Sequence, residues 1–287
     1  MSAAPPTRRS TGPRRSAPGW WMLPREHGAW GMLALPFLSA TALARGWDAM
    51  TLPAALAVLG AFCIREPLVV LGRQVFVWRE RKPESATAAR FLALNVIVLA
   101  AASALLLRYR NWRLLLALGA AAGALLVVAT LLTVFNRQRS VWLQVVSAVG
   151  LSASALAAWL AVRPRLEPTA WWLWAVHSAY STAAVLVVHA RLDGRVALKR
   201  PEHSRQAAQA LRSAYTAQAV LLGIGGLCVL GGQPLLALPL LLAAGSHTIQ
   251  LGNLRRPDSH TVPLRRVGLR ALALSIACSI LVVMALW

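Results

Sequence analysis

The chain has 287 residues, of which 57% are hydrophobic and only 14% are charged. Soluble domains are about half apolar and about a quarter charged, so this composition excludes that class and predicts an all-α integral membrane protein. The net charge of +21 does not indicate a nucleic-acid partner, because the basic residues fall in short gaps between apolar runs. Three cysteines lie singly within apolar runs, which predicts buried packing and no metal site.

The first 22 residues differ in character from the rest. They contain four prolines and the pairs Arg8-Arg9 and Arg14-Arg15, a composition that cannot bury a core. We therefore predict a disordered, basic, proline-rich cytoplasmic tail over residues 1–22 and a polytopic membrane domain over residues 23–287.

From residue 23 onward, the chain divides into apolar segments long enough to cross a membrane, which takes about 20 residues. The first segment is short, and we allow for its extension back through Trp20 and Trp21. We predict nine helices, at about 30–44, 52–71, 91–107, 114–135, 141–162, 171–188, 211–230, 235–251 and 269–287.

The basic residues between these segments predict the orientation. Of the 30 Lys and Arg residues, 23 fall on the side of the N-terminus and six on the other side, with Arg65 inside the second segment. Positive charge accumulates in cytoplasmic loops, so we expect the N-terminus to be cytoplasmic and the C-terminus external.

Ionisable residues gather where the first two segments meet the cytoplasmic side. Arg25, Glu26 and His27 precede the first segment directly, and the second contains Arg65 and Glu66, with Arg73 two turns further on one face. One interpretation is a structural ion pair of Glu66 with an arginine. The other is an anion site at the end of a cavity, because charges inside a span are candidates for function. We also expect Arg25, Glu26 and His27 to lie within side-chain reach of Glu66 or Arg65, because charges at the mouth of a helix are tolerated only when they are paired or hydrated.

Further polar residues are predicted at the same ends. In the sixth segment His189 and Asp193 share a face, whereas His177 in mid-span is expected to be a hydrogen-bonded interior residue. The candidate ligand-binding residues are Arg25, Glu26, His27, Arg65, Glu66, Arg73, Asn136, Arg137, His189, Asp193 and Asn253. We assign none of them a catalytic role and none a metal.

Two connections between segments have similar sequences. Arg81-Lys82-Pro83-Glu84-Ser85 follows the second segment, and Lys199-Arg200-Pro201-Glu202-His203-Ser204 follows the sixth. If this is not chance, the second and sixth helices occupy equivalent places in two related halves.

The string Pro24-Arg25-Glu26-His27-Gly28-Ala29-Trp30-Gly31-Met32-Leu33, with Pro36-Phe37-Leu38 after it, resembles the signature of the YwiC-like family of bacterial membrane proteins. Arg65-Glu66-Pro67-Leu68 and Leu264-Arg265-Arg266-Val267-Gly268 are similar to weaker marks of that family. The resemblance implies a multi-pass protein of the bacterial cytoplasmic (inner) membrane. It implies no established reaction.

The layout of helices is distantly similar to the UbiA-type intramembrane prenyltransferases. Those enzymes hold magnesium and a prenyl diphosphate with two aspartate-rich motifs. Here Arg65-Glu66-Pro67-Leu68-Val69 stands at the first motif, and only Asp193 matches the second. The similarity implies a UbiA-like bundle, but the missing aspartates leave magnesium unsupported, and we predict no cofactor.

Three functions remain open. The one-sided polar groups favour binding of an anionic or isoprenoid lipid in a cytoplasm-facing pocket, with or without UbiA-like transferase chemistry. The alternatives are an anion- or proton-coupled transporter of small solutes and a noncatalytic membrane assembly partner. Membrane lipids are the expected partners. The sequence does not indicate whether the chain is an enzyme, nor its oligomeric state.

Overall fold

The structure is a computed structural model that describes residues 22–24, 27–137, 140–254 and 262–287, except the side chains of His27 and Leu264. Within these ranges it is all-helical. The helices are α1 His27–Leu43, α2 Thr51–Gly72, α3 Glu84–Tyr109, α4 Trp112–Val134, α5 Val141–Ser152, α6 Ser154–Val162, α7 Pro168–Lys199, α8 Ser204–Leu230, α9 Pro234–Asn253 and α10 Leu264–Leu286. A π-helical turn, Arg73–Trp78, prolongs α2, and a 3-10 turn, Pro201–His203, precedes α8.

These helices confirm the nine predicted apolar segments. Eight stretches of the described chain are long and apolar enough to cross a membrane, and the shorter α1 is the ninth segment. The helices α5 and α6 form one such stretch, interrupted only at Ala153. Residues 22–24 are not helical and α1 begins at His27, so the described chain shows no backward extension of the first segment, and Trp20 and Trp21 lie outside the described residues.

Local sequence explains where several helices begin. The Asn111 side chain accepts a hydrogen bond from the Leu114 amide and caps α4. Proline opens α7 at Pro168 and α9 at Pro234, a position where its missing N–H costs nothing. The turn before α9 places Gly232 at φ +76°, a conformation that glycine adopts without strain.

The bundle consists of two groups of helices around a shared centre. In the first group α2 packs against α3 and α4, and in the second α7 packs against α8 and α9, with α10 against α9. The helix α1 and the α5–α6 pair lie between the groups, since α1 contacts α6 and α10 while α5 contacts α7. Small and branched side chains, with Trp159 and Phe37, fill this centre.

A polar clasp joins loops at the end of the bundle where α1 finishes. Arg110 forms an ion pair with Asp48 and donates Nε–H to the Ala161 carbonyl over 2.7 Å. The Arg45 guanidinium lies 5.6 Å from the centre of the Trp287 ring. The clasp therefore gathers the loop after α1, the start of α4 and the ends of α6 and α10, which are the ends predicted to be external.

Candidate functional site

The first turn of α1 packs against α2 close to the charged pair of that helix. The Trp30 ring packs edge-on against Phe62 of α2 with ring centres 4.9 Å apart. Phe62 lies one turn before Arg65 and Glu66, and Trp30 lies one turn after His27. The Trp30 indole N–H also donates to the Pro24 carbonyl over 3.1 Å, which holds the preceding chain against α1.

Arg65 of α2 and Arg73, the first residue of the π-helical turn, meet at the last turn of α4. Arg65 donates Nη2–H to Thr133 Oγ1 over 3.2 Å. Arg73 donates Nη2–H to the Thr133 carbonyl over 3.0 Å and to Asn136 Oδ1 over 3.1 Å. Asn136 can face Arg73 because the chain turns sharply there, with Asn136 at φ +59°. We call Arg65, Arg73, Thr133 and Asn136 the arginine cluster.

The hydrogen bonds of Arg73 leave its charge unneutralised. Both of its acceptors are neutral, and in the part of the chain that the structure describes it forms no ion pair. Its Nε is buried and makes no hydrogen bond with a described residue. A cation in partly desolvated surroundings gains most from an anionic acceptor.

Glu66 does not provide that anion. Its side chain is half-buried in α2, and among the described residues it forms no ion pair with Arg65 or Arg73. Among the described residues, the ion pair of Glu66 with an arginine that the structural interpretation predicts is therefore not present. Arg25 and Glu26 lie outside the described residues, and so does the side chain of His27. Their approach to Glu66 or Arg65 thus stays a prediction.

Residues after Arg73 fold back to close this end of α2. The Gln74 side chain is buried and accepts hydrogen bonds from the Ser85 hydroxyl and, over 3.4 Å, from the Lys82 amide. The Lys82 ammonium lies 3.9 Å from the centre of the Trp78 ring. These contacts fix the connection to α3 beside the arginine cluster.

The polar residues of α7 form a separate group at the same end. His189 Nε2 lies 2.8 Å from Gln144 Oε1, a hydrogen bond that joins α7 to the start of α5. Asp193 is half-buried one turn further, and Arg195 donates to the Val262 carbonyl before α10. Within the described residues, no hydrogen bond or ion pair joins this group to the arginine cluster.

The remaining predicted residues are more exposed. Arg137 is exposed directly after Asn136, and Asn253 is exposed at the end of α9. His247 lies on the same helix as Asn253 but is buried, and its Nδ1 lies 3.2 Å from Gln218 Oε1. Each step of three residues falls roughly 60° short of a full turn, so His247 and Asn253 point in different directions.

His177 is an interior hydrogen-bonding residue, as predicted. It is fully buried, with Nδ1 2.9 Å from the Leu173 carbonyl and Nε2 3.3 Å from the Ser279 hydroxyl. Tyr180 shares the same hydroxyl at 3.3 Å, which ties α7 to α10. These contacts give the mid-span polar groups a structural role.

Thr133 and Gln144 were missed by the sequence reasoning. Thr133 lies three residues before Asn136 in the same last turn, a spacing that could have revealed it. Gln144 begins α5 next to the connection from α4, on the side where the other polar groups gather.

Comparison with known proteins supports the resemblance on the same stretch. Residues 23–159 match the family model described as YwiC-like protein. This stretch is YwiC-like. It runs from the start of the signature before α1 to Trp159 of α6, so the YwiC-like stretch contains the whole arginine cluster. The similar string at Leu264–Gly268 lies outside the match. No curated protein and no solved structure matches the chain, and the UbiA-like similarity stays a prediction.

The described part of the site does not offer the donors that a magnesium ion prefers. Among the residues that the structure describes, no three His, Cys, Asp or Glu side chains come together. Magnesium prefers carboxylates with phosphate and water oxygens. The YwiC-like stretch places guanidinium groups there instead, and these bind anions directly.

Proposed function

We propose that this membrane protein binds the anionic head group of a lipid at the arginine cluster. The observation that carries the proposal is the meeting of Arg65 and Arg73 at Thr133, where Arg73 has only neutral described acceptors. A phosphate or diphosphate offers several acceptor oxygens to such planar donors. The head group can belong to a phospholipid or to an isoprenoid.

The depth of the cluster favours a lipid. Arg65 lies seven residues before the end of α2, about 10 Å into the helix at 1.5 Å per residue. Its side chain reaches toward the helix end, where Thr133 closes α4. An anion at this depth would sit at the head-group boundary, with its acyl or isoprenoid chain beside exposed apolar side chains of the bundle.

The start of α1 also favours an anion at this place. Its first turn packs against α2 close to Arg65, and the N-terminus of a helix carries unpaired N–H groups and a partial positive charge. An anion near Arg65 would therefore meet positive potential from α1 and from α2. On this proposal the bacterial cytoplasmic membrane is the location, with the cluster facing the cytoplasm.

Native mass spectrometry of the detergent-purified chain tests the proposal. We expect wild-type protein to carry a phosphorus-containing lipid and Arg73→Gln to lose most of it. Arg90→Gln is the matched control, since Arg90 is exposed on α3 at the same end and the variant loses the same charge. Equal retention by both variants would show that the lipid is held by general surface charge and not by the cluster.

A further inference from the structure

The connection between α2 and α3 repeats in the connection between α7 and α8. Each connection contains two basic residues followed by proline and glutamate, as Arg81-Lys82-Pro83-Glu84 and as Lys199-Arg200-Pro201-Glu202. Both connections directly precede a helix, α3 and α8 respectively. Three apolar segments, α3, α4 and the α5–α6 stretch, lie between α2 and α7, so the two helices run in the same direction and a repeat would be parallel.

The likeness extends well beyond the connection. Arg73 lies ten residues before Pro83, and Arg191 lies ten residues before Pro201. An asparagine stands at the end of the third helix of each unit. Asn136 follows Pro83 by 53 residues, and Asn253 follows Pro201 by 52. Arginine, proline and asparagine thus recur at nearly the same spacing in α2–α4 and α7–α9.

One contact recurs in the two units, although α8 packs closely against α9 and α3 touches α4 much less. A Cβ on Gly72 would lie 2.8 Å from Val134 Cγ2, so the residue before Arg73 touches the last residue of α4. Ala190, directly before Arg191, is buried in one cluster with Leu251 and Leu254 at the end of α9. In each unit a small residue before the arginine packs against the end of the third helix.

We propose that α2–α4 and α7–α9 are two copies of one structural unit, and that Arg191 with Asn253 forms a second site for a phosphate-type anion. This inference rests on the proposed function of the arginine cluster, because Arg73 with Asn136 is the template. Arg191 is only 6% exposed, and its charged neighbours include Arg195 and Arg270, which give this end of α7 a positive potential. The assignment of this second site depends on the repeat, and it does not require Arg191 to be without a partner.

The test measures binding of dihexanoyl phosphatidate to the purified full chain through the rise in its unfolding temperature. We expect Arg191→Gln to weaken affinity about tenfold, because hydrogen bonds to charged groups are among the strongest. Arg191→Lys should keep part of the affinity, and Asn253→Ala should lower it about threefold. Arg205→Gln, an exposed arginine of α8 at the same end, is the charge-matched control and should bind as wild type.

Each outcome separates the two proposals. If Arg73→Gln binds phosphatidate weakly while Arg191→Gln and Asn253→Ala bind as wild type, the second site is wrong and the arginine cluster stands. If Arg73→Gln also binds as wild type, both are wrong. Should Arg191→Gln fail to fold, Asn253→Ala decides, because its side chain is exposed. Parallel titrations with inorganic phosphate and dihexanoyl phosphatidylcholine distinguish a free phosphate from an anionic lipid as the ligand.

Discussion

Arg65 donates Nη2–H to Thr133 Oγ1 over 3.2 Å and so links the interior of α2 to the last turn of α4. The same threonine receives Arg73 at its carbonyl, so one residue orients two guanidinium groups. The relationship makes Thr133 the positioning residue of the arginine cluster.

Replacing the Thr133 hydroxyl should weaken lipid binding without lowering the amount of protein in the membrane. Thr133→Val keeps the shape and the carbonyl but removes the acceptor for Arg65. We expect a threefold to tenfold lower affinity for dihexanoyl phosphatidate, since a misdirected arginine loses part of its hydrogen bonding. Thr130→Val on the same helix is the control. Equal affinity of Thr133→Val and wild type would contradict a positioning role.

The contact between α2 and α4 should be sensitive to volume at Gly72. A methyl group there would lie 2.8 Å from Val134 Cγ2, so we expect Gly72→Ala to lower the free energy of unfolding by about 1–3 kcal/mol. The double variant Gly72→Ala/Val134→Ala should recover much of this loss. Gly223→Ala, which meets no atom within 4 Å, should be neutral or stabilising. If the double variant does not recover stability, the close approach of α2 and α4 at Gly72 is refuted.

The clasp at the other end should contribute to stability and not to lipid binding. Asp48→Asn removes the ion pair with Arg110, in which the Arg110 side chain is 21% exposed and the Asp48 side chain is 37% exposed. We expect up to about 1 kcal/mol lower stability, because partly solvated pairs contribute little. Glu167→Gln, an exposed acid at the same end, is the control. A loss of phosphatidate binding by Asp48→Asn would show that the two ends are coupled.

The charge asymmetry predicts how the bundle sits in its membrane. Reporter fusions should place Trp287 outside and the loop between α7 and α8 inside, since 23 basic residues fall on one side and six on the other. A cytoplasmic reporter active at Trp287 would reverse this orientation. An external reporter active between Arg191 and Arg212 would do the same.

Apolar length alone predicted the number and order of the membrane segments, although one of them consists of two helices, α5 and α6. It placed their ends less well, because polar first and last turns such as Glu84–Arg90 in α3 and Arg191–Lys199 in α7 lie outside the hydrophobic windows. The π-helical turn after Gly72 had no signal in composition. Within this turn, the Gln74 side chain accepts a hydrogen bond from the Ser85 hydroxyl.

The candidate site was predictable only in part. The charges of α2 were visible because they interrupt an apolar run. Their partner Thr133 is 68 residues from Arg65, and in the sequence only its spacing of three residues from Asn136 distinguishes it. The proposed convergence of all cytoplasmic polar groups could not be resolved by sequence either. Periodicity gives the face of one helix and not which helices are neighbours. The structure separates the arginine cluster from the group around His189.

The central claim is tested most directly by the lipid that stays with the purified chain. In wild-type protein, native mass spectrometry should find an anionic phospholipid or an isoprenoid phosphate. The Arg65→Ala variant should insert, fold and purify normally but lose most of that lipid, since Arg65 lies deepest in the cluster. Normal folding of Arg65→Ala with the same lipid at the same occupancy would contradict the account, and so would a wild-type protein that carries no such lipid.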